Sequence, residues 1–99
     1  MPTIKLLKRA ELELTDACEW YEKQQKGLSL RFRKEIKDAL NHLNLHPELY
    51  AVRYNADHRF IHLKKFPFVL VYWFDENLNS VFVTSIFHTK RNPGKFEFE

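Results

Sequence analysis

The sequence predicts an α+β domain: an N-terminal strand, an antiparallel two-helix hairpin, then an antiparallel three- to four-stranded meander. Three observations carry this. Apolar residues recur at helical spacing in two consecutive stretches of the first half. Only a short link around Gly27 separates those stretches, which makes the two helices antiparallel neighbours. After His46 the period changes to short runs rich in Phe, Val, Tyr and Trp, separated by turn residues. At 99 residues the whole chain, 1–99, is expected to be a single domain.

Thr3 to Lys8 reads as the first strand, and a helix begins near Ala10. Leu14, Ala17, Cys18 and Tyr21 make its apolar face, and Glu11, Glu13 and Asp16 place negative charge in its first two turns. Gly27 reads as its stop. The second helix starts at Leu28 or Ser29 and carries the stripe Leu28, Phe32, Ile36, Ala39, Leu40 and Leu43. Arg31, Arg33, Lys34, Lys37 and Asp38 fall mostly outside that stripe, and Pro47 ends the helix by forcing His46 out of the helical region. Tyr50 to Tyr54 reads as a strand, 55–57 as a turn, and His58 to Lys64 as the next strand. Phe66-Pro67 interrupts it, because proline cannot donate to a central ladder. Phe68 to Phe74 and Ser80 to His88 are apolar on both faces, so they should be interior strands, joined by a turn over Asp75–Asn79.

Composition agrees with a small, well-filled core: nine Phe, four Tyr and two Trp each bury a large area, and glycine is limited to two residues. Cys18 is the single cysteine, which rules out an internal disulfide and a cysteine-based zinc site and suits a reducing cytoplasm, the location expected for the chain. The start of the chain has no long apolar run, so neither a signal peptide nor a membrane partner is expected. The formal charge is +3, unevenly spread. From Arg53 to Lys95 there are seven Lys/Arg against three Asp/Glu, with His58, His62 and His88 among them. The first fifty residues hold nine Lys/Arg against eight Asp/Glu. The positive field of the second half should attract an acidic protein or a phosphate backbone.

Several local patterns carry little chemistry. His58 and His62 have the spacing of a helical metal pair, but along a strand they stand about 13 Å apart, beyond the reach of one ion. No metal and no other cofactor is expected. Cys18 sits on an apolar helix face and reads as a small core residue. Trp20 and Tyr21 read as core or interface anchors. There is no glycine-rich phosphate loop and no serine-centred elbow.

Three stretches together resemble the RelE/ParE toxin superfamily, also known as plasmid stabilisation proteins. Ala17-Cys18-Glu19-Trp20-Tyr21-Glu22-Lys23-Gln24 is similar to the A-x-x-W-Y-x-x-Q end of that family's first helix. Leu63 to Tyr72 is similar to its L-x-x-F-P-Y-x-x-x-Y strand entry. Ile86-Phe87-His88-Thr89-Lys90-Arg91-Asn92-Pro93 is similar to its hydrophobic-x-H-x-x-R-x-P exit. The three lie in the family's order and span most of the chain. The resemblance implies a growth-inhibiting toxin of a bacterial type II toxin–antitoxin module, held inactive by a cognate antitoxin.

The superfamily's branches differ in target. One cleaves mRNA on the ribosome and the other inhibits DNA gyrase. Metal-free RNA cleavage needs a base for the 2′-hydroxyl, cations around the phosphorane and an acid for the leaving oxygen. The residues that could supply these are Arg59, His62, Lys64, Lys65, His88, Lys90 and Arg91. The resemblance to the nuclease branch implies an Arg just after the last strand and a Tyr or His near the C-terminus. Thr89 stands at or beside the first position, and the run from Asn92 to Phe96 contains neither Tyr nor His. The expected function is therefore inhibition of gyrase by protein binding, with no residue assigned a catalytic role. The alternatives are a ribosome-dependent endoribonuclease and a non-toxic remnant that only binds its antitoxin. Arg59, Lys64, Lys65, His88, Lys90 and Arg91 are the expected target- or antitoxin-binding set. Two of them have plainer readings: His88 as a structural histidine bonded to a loop carbonyl, and Arg91 as an ion-pair partner of Glu19 or Glu22.

Overall fold

The structure is a computed structural model and describes residues 2–48, 52–54 and 58–89, the side chains of 52–54 excepted. The elements run β1 (Thr3–Leu6), α1 (Lys8–Gln24), α2 (Leu28–Leu45), β2 (Val52–Tyr54), β3 (His58–His62), β4 (Phe68–Asp75) and β5 (Ser80–His88). They build a five-stranded sheet in the order β1-β5-β4-β3-β2. From β2 to β5 the strands form the expected antiparallel meander. β1 joins it parallel to β5, so the first and last strands are neighbours. That pairing seats Leu7 N–H on the Val83 carbonyl at 2.9 Å and turns the chain straight into α1.

Both helices pack on one face of the sheet. The predicted stripes are the buried ones: Ala17, Cys18 and Tyr21 of α1, and Phe32, Ile36 and Leu43 of α2. They meet Ile61, Phe68, Leu70, Tyr72, Val81, Val83 and Ile86 from the strands. On the opposite face Val69, Val71 and Phe87 form a second cluster with Phe60. β4 and β5 are thus apolar on both sides because each is an interior strand with a cluster on either face. No helix among the described residues is long and apolar enough to cross a membrane.

The link between the helices differs in detail from the sequence expectation. α1 ends at Gln24, and Gly27, rather than closing α1, immediately precedes α2 with φ +87°. That left-handed conformation suits glycine. A helix start leaves several N–H groups without partners inside the helix. Here Glu22, in the last turn of α1, takes on that role for α2. Its carboxylate accepts from Gly27 N–H (3.0 Å), Ser29 N–H (3.2 Å) and the Ser29 hydroxyl (2.7 Å). The Gly27 N–H, then the Ser29 hydroxyl and N–H, hold the Glu22 carboxyl below its ordinary value. A depressed folded-state value stabilises the fold above the unfolded carboxylate value, and the stabilisation fades as pH falls through the folded one. Thermal unfolding scans between pH 6 and pH 2.5 should show a smaller acid loss for Glu22→Gln than for the parent chain. Identical acid profiles would remove Glu22 as a source of that dependence.

The last strand carries an irregularity that no sequence pattern marks. Val71 pairs with Ser85 but Tyr72 pairs with Val83, so Thr84 is an extra residue in β5. Its hydroxyl donates to the Val71 carbonyl at 3.2 Å. Strand residues two apart share a face, so an unbroken strand would place Val81, Val83, Ser85 and Phe87 together. The bulge resets the alternation, and Ile86 returns to the helix side while Phe87 joins the opposite cluster. Glu13 of α1 fills the bulge: one carboxylate oxygen accepts from the Ser85 hydroxyl (2.7 Å) and from Ile86 N–H (3.0 Å).

Several boundaries shift: β1 ends at Leu6 rather than Lys8, α1 starts at Lys8 rather than near Ala10, and β4 runs on to Asp75. The strand predicted from Tyr50 is described as Val52–Tyr54, with 49–51 outside the described residues. β3 stops at His62 rather than Lys64, because the backbone turns through 63–67. Leu63 N–H then bonds the Phe68 carbonyl at 3.0 Å, and Lys65 N–H turns to the Glu35 carboxylate of α2 at 2.8 Å.

Candidate docking surface

The stretches Trp20-Tyr21, Phe66-Pro67-Phe68 and His88 lie far apart in sequence, and the fold brings them to one end of the sheet. Tyr21, Phe32, Phe66 and Phe68 form an aromatic cluster. Phe32 has its ring centroid 5.0–5.2 Å from each of the other three. Tyr21 lies 5.0 Å from Phe66, and Trp20 meets Tyr21 edge-on at 5.2 Å. His88 stands edge-on against Phe68 at 4.9 Å. Offset and edge-to-face contacts of this kind stabilise beyond the area they bury. These stretches are therefore joints of the fold. Trp20 alone among them keeps a large exposed area, at 46%.

The candidate site residues separate into three places. His62 closes β3, and Lys64 and Lys65 follow it in the exposed turn between β3 and β4. Arg59 lies three residues back along β3, paired with Tyr72, and its guanidinium donates to the Glu48 carbonyl at 3.1 Å. That distance along a strand is roughly 10 Å. His88 ends β5 opposite Phe68, whereas His62 pairs with Val69 on the other side of β4. The two histidines are therefore two strand spacings, about 10 Å, apart. Lys90 and Arg91 lie outside the described residues, as does the ion pair considered for Arg91. Glu22, one of its two candidate partners, accepts hydrogen bonds from Gly27 and Ser29 at the start of α2. The Thr89 N–H and hydroxyl both donate to the Pro67 carbonyl, at 2.8 and 3.1 Å, so β5 ends against the 63–67 turn.

Sequence reasoning missed a surface on α2. α1 lies close along β5, but α2 makes no comparable approach to β3. The gap is a groove of about 840 Å3. Leu28, Ala39, Ile61, Leu63 and Phe66 supply its apolar part, and Arg31, Lys34, Lys64 and Lys65 its cationic part. His42, His62, Glu35 and Asp38 complete the lining. Arg31, Lys34, Asp38 and His42 recur at three- and four-residue steps beside Leu28 and Ala39, and that spacing was the available signal. It reads as a solvated helix face until the stand-off of α2 is known.

Among the described residues no group of three or more His, Cys, Asp or Glu side chains is arranged to hold a metal. Cys18 is 4% exposed, and burial pushes its thiol above the ordinary value, with Arg33 partly opposing the shift. Such a thiol is a poor nucleophile.

A protein-family model described as "ParE toxin of type II toxin-antitoxin system, parDE" matches residues 4–93. No curated protein matches the chain. Among solved structures, a chain of the chromosomal ParDE system from P. aeruginosa superposes with a TM-score of 0.76 at 16% identity, over 89% of this chain and 96% of that one. A chain of the intact E. coli RelBE toxin–antitoxin complex gives 0.71 at 22% identity, over 92% and 100%. A third, from a mutant of the E. coli toxin RelE in complex with a RelBc antitoxin peptide, gives 0.64 at 23% identity, over 86% and 80%. At these identities the structures show a shared fold.

Proposed function

The chain belongs to the ParE toxin family of type II toxin–antitoxin systems, and on that premise we propose that it is held inactive by a cognate antitoxin and, when released, inhibits DNA gyrase by binding it. The observation that carries a binding role is the register of the sheet. It ends β3 at His62, paired with Val69, and β5 at His88, paired with Phe68, two strand spacings or about 10 Å apart, and leaves Arg59 bonded to a loop carbonyl away from both. General acid–base cleavage of RNA needs such groups within hydrogen-bond reach of one phosphate. The likeness to chains solved with antitoxins supports a protein partner. The exposed Lys64 and Lys65, with Lys90 and Arg91 following β5, are the cations proposed to meet target or antitoxin.

Supercoiling by purified gyrase should fall as the chain is titrated in. Unchanged supercoiling at saturating chain would sink the gyrase reading. Codon-positioned mRNA cleavage on ribosomes would replace it with a nuclease. Normal growth on induced expression of the folded chain would point to a remnant that only binds its partner.

A further inference from the structure

We propose that His42 and His46, at the C-terminal end of α2, form a two-histidine chelate for a divalent ion of the zinc, nickel or copper class. The site is independent of the toxin reading and of the target of the chain.

The helix sets the spacing. His42 lies in the last turn of α2 and His46 caps it, with the His46 N–H donating to the His42 carbonyl at 2.9 Å. Residues four apart on a helix project from one face. The same H-x-x-x-H spacing at His58 and His62 falls on β3, where it parts the two residues by about 13 Å. On α2 the two ring centroids stand 5.1 Å apart, with the planes inclined at 49°. In a tetrahedral site each nitrogen lies about 2.0–2.1 Å from the ion and a ring centre about 1.1 Å farther out, so two ligating imidazoles have centroids about 5.2 Å apart. The pair already stands at that separation. Turning each ring about χ2, a broad torsion, aims a nitrogen at the ion. A ligating histidine donates from its second ring nitrogen, so other polar contacts of these rings are compatible with binding. Both residues are exposed, which leaves the ion a path in.

The surroundings fix the pair and favour a cation. Leu43 is fully buried and holds the last turn against the sheet. Beyond His46 the chain is tied twice: the Tyr72 hydroxyl donates to the Pro47 carbonyl at 3.1 Å, and the Arg59 guanidinium to the Glu48 carbonyl at 3.1 Å. Ligands fixed before binding lose little freedom when the ion arrives. The C-terminus of a helix carries partial negative charge, and a dication there is stabilised. Asp38, one turn before His42, adds a carboxylate on the same face. It contributes charge and is not a third ligand, because among the described residues no three such side chains are grouped to hold a metal. Imidazole nitrogen selects zinc, nickel and copper over magnesium and calcium, which take oxygen ligands. Water fills the remaining positions.

The test is a calorimetric titration of the untagged full chain with Zn2+. One ion should bind per chain, and Mg2+ at the same concentrations should give no response. His42→Gln and His46→Gln should each weaken zinc binding by about tenfold or more, since either leaves a single ligand. His62→Gln, which removes one member of the strand pair, should bind as the parent does. Amide shifts on binding should concentrate at residues 42–48. The unfolded chain carries the same histidines, so stabilisation by zinc reads the arrangement that the helix imposes. Zinc at about ten times its dissociation constant should raise the unfolding midpoint by about 5 °C or more, and His46→Gln should abolish the rise. Zinc affinity indifferent to both His42→Gln and His46→Gln, loss of binding in His62→Gln, an equal response to Mg2+, or binding that leaves the unfolding midpoint unchanged would overturn the proposal.

Discussion

Phe32→Ala is expected to lower the unfolding free energy by about 4 kcal/mol, the range for deleting a buried aromatic ring and leaving a cavity. Phe32 is fully buried on α2 and touches rings from three other places: Tyr21 of α1, Phe66 of the 63–67 turn and Phe68 of β4. Surroundings contributed by three other segments cannot collapse onto the vacancy by moving one of them. Small domains have roughly 5–15 kcal/mol of stability, so the loss is a large share of the total. Phe32→Leu, which keeps most of the volume, should cost much less, about 1–2 kcal/mol. Urea unfolding followed by tryptophan fluorescence gives both values. A Phe32→Ala loss under about 1.5 kcal/mol would mean that the cluster is not a single packed unit. The substitution also bears on function, because Phe66 is both a neighbour of Phe32 and part of the groove wall.

Glu13→Ala should cost about 3 kcal/mol. The Ser85 hydroxyl and the Ile86 N–H both donate to Glu13, and Ser85 is fully buried. Hydrogen bonds to a charged acceptor contribute about 1.5–3 kcal/mol, and a buried donor left without one costs about 1–3 kcal/mol. The Arg9 contact, at 3.5 Å and largely exposed, adds little. Glu13→Gln keeps a carbonyl acceptor and should lose only about 1 kcal/mol. In a double-mutant cycle with Ser85→Ala, the two losses should fall short of additive by about 1 kcal/mol or more. Additive losses would mean that the carboxylate acts on the bulge only through Ile86. Fluorescence-monitored denaturation is again sufficient.

Much of the fold was legible because its elements are set by local periodicity. The stripe Phe32, Ile36 and Leu43 is buried as its spacing requires, and the break at Phe66-Pro67 falls where proline interrupts a ladder. The bulge at Thr84 was not legible. Threonine is ordinary in strands, and the residue that fills the bulge, Glu13, lies on a helix 72 positions from Ser85. Arg59 illustrates the same limit at the candidate site. Its type and its place on a basic strand made it a candidate, but the register that pairs it with Tyr72 carries its guanidinium to the Glu48 carbonyl. Among the described candidates, His62, Lys64 and Lys65 are exposed and line the groove beside α2.

By itself the sequence determined the order of the elements, which faces are apolar, and where basic residues gather. Each of these follows from neighbours a few positions away, through the repeat of a helix or the alternation of a strand. The tertiary structure decided which candidates share a surface. The parallel pairing of β1 with β5, the carboxylate of Glu13 set against strand backbone and that of Glu35 against the 63–67 turn, and the stand-off of α2 from β3 all depend on residues meeting across long separations. A one-residue change of register moves a strand side chain to the opposite face. That is why the basic second half could be read from composition, while the groove flanked by Lys64 and Lys65 on one side and Arg31 and Lys34 on the other could not.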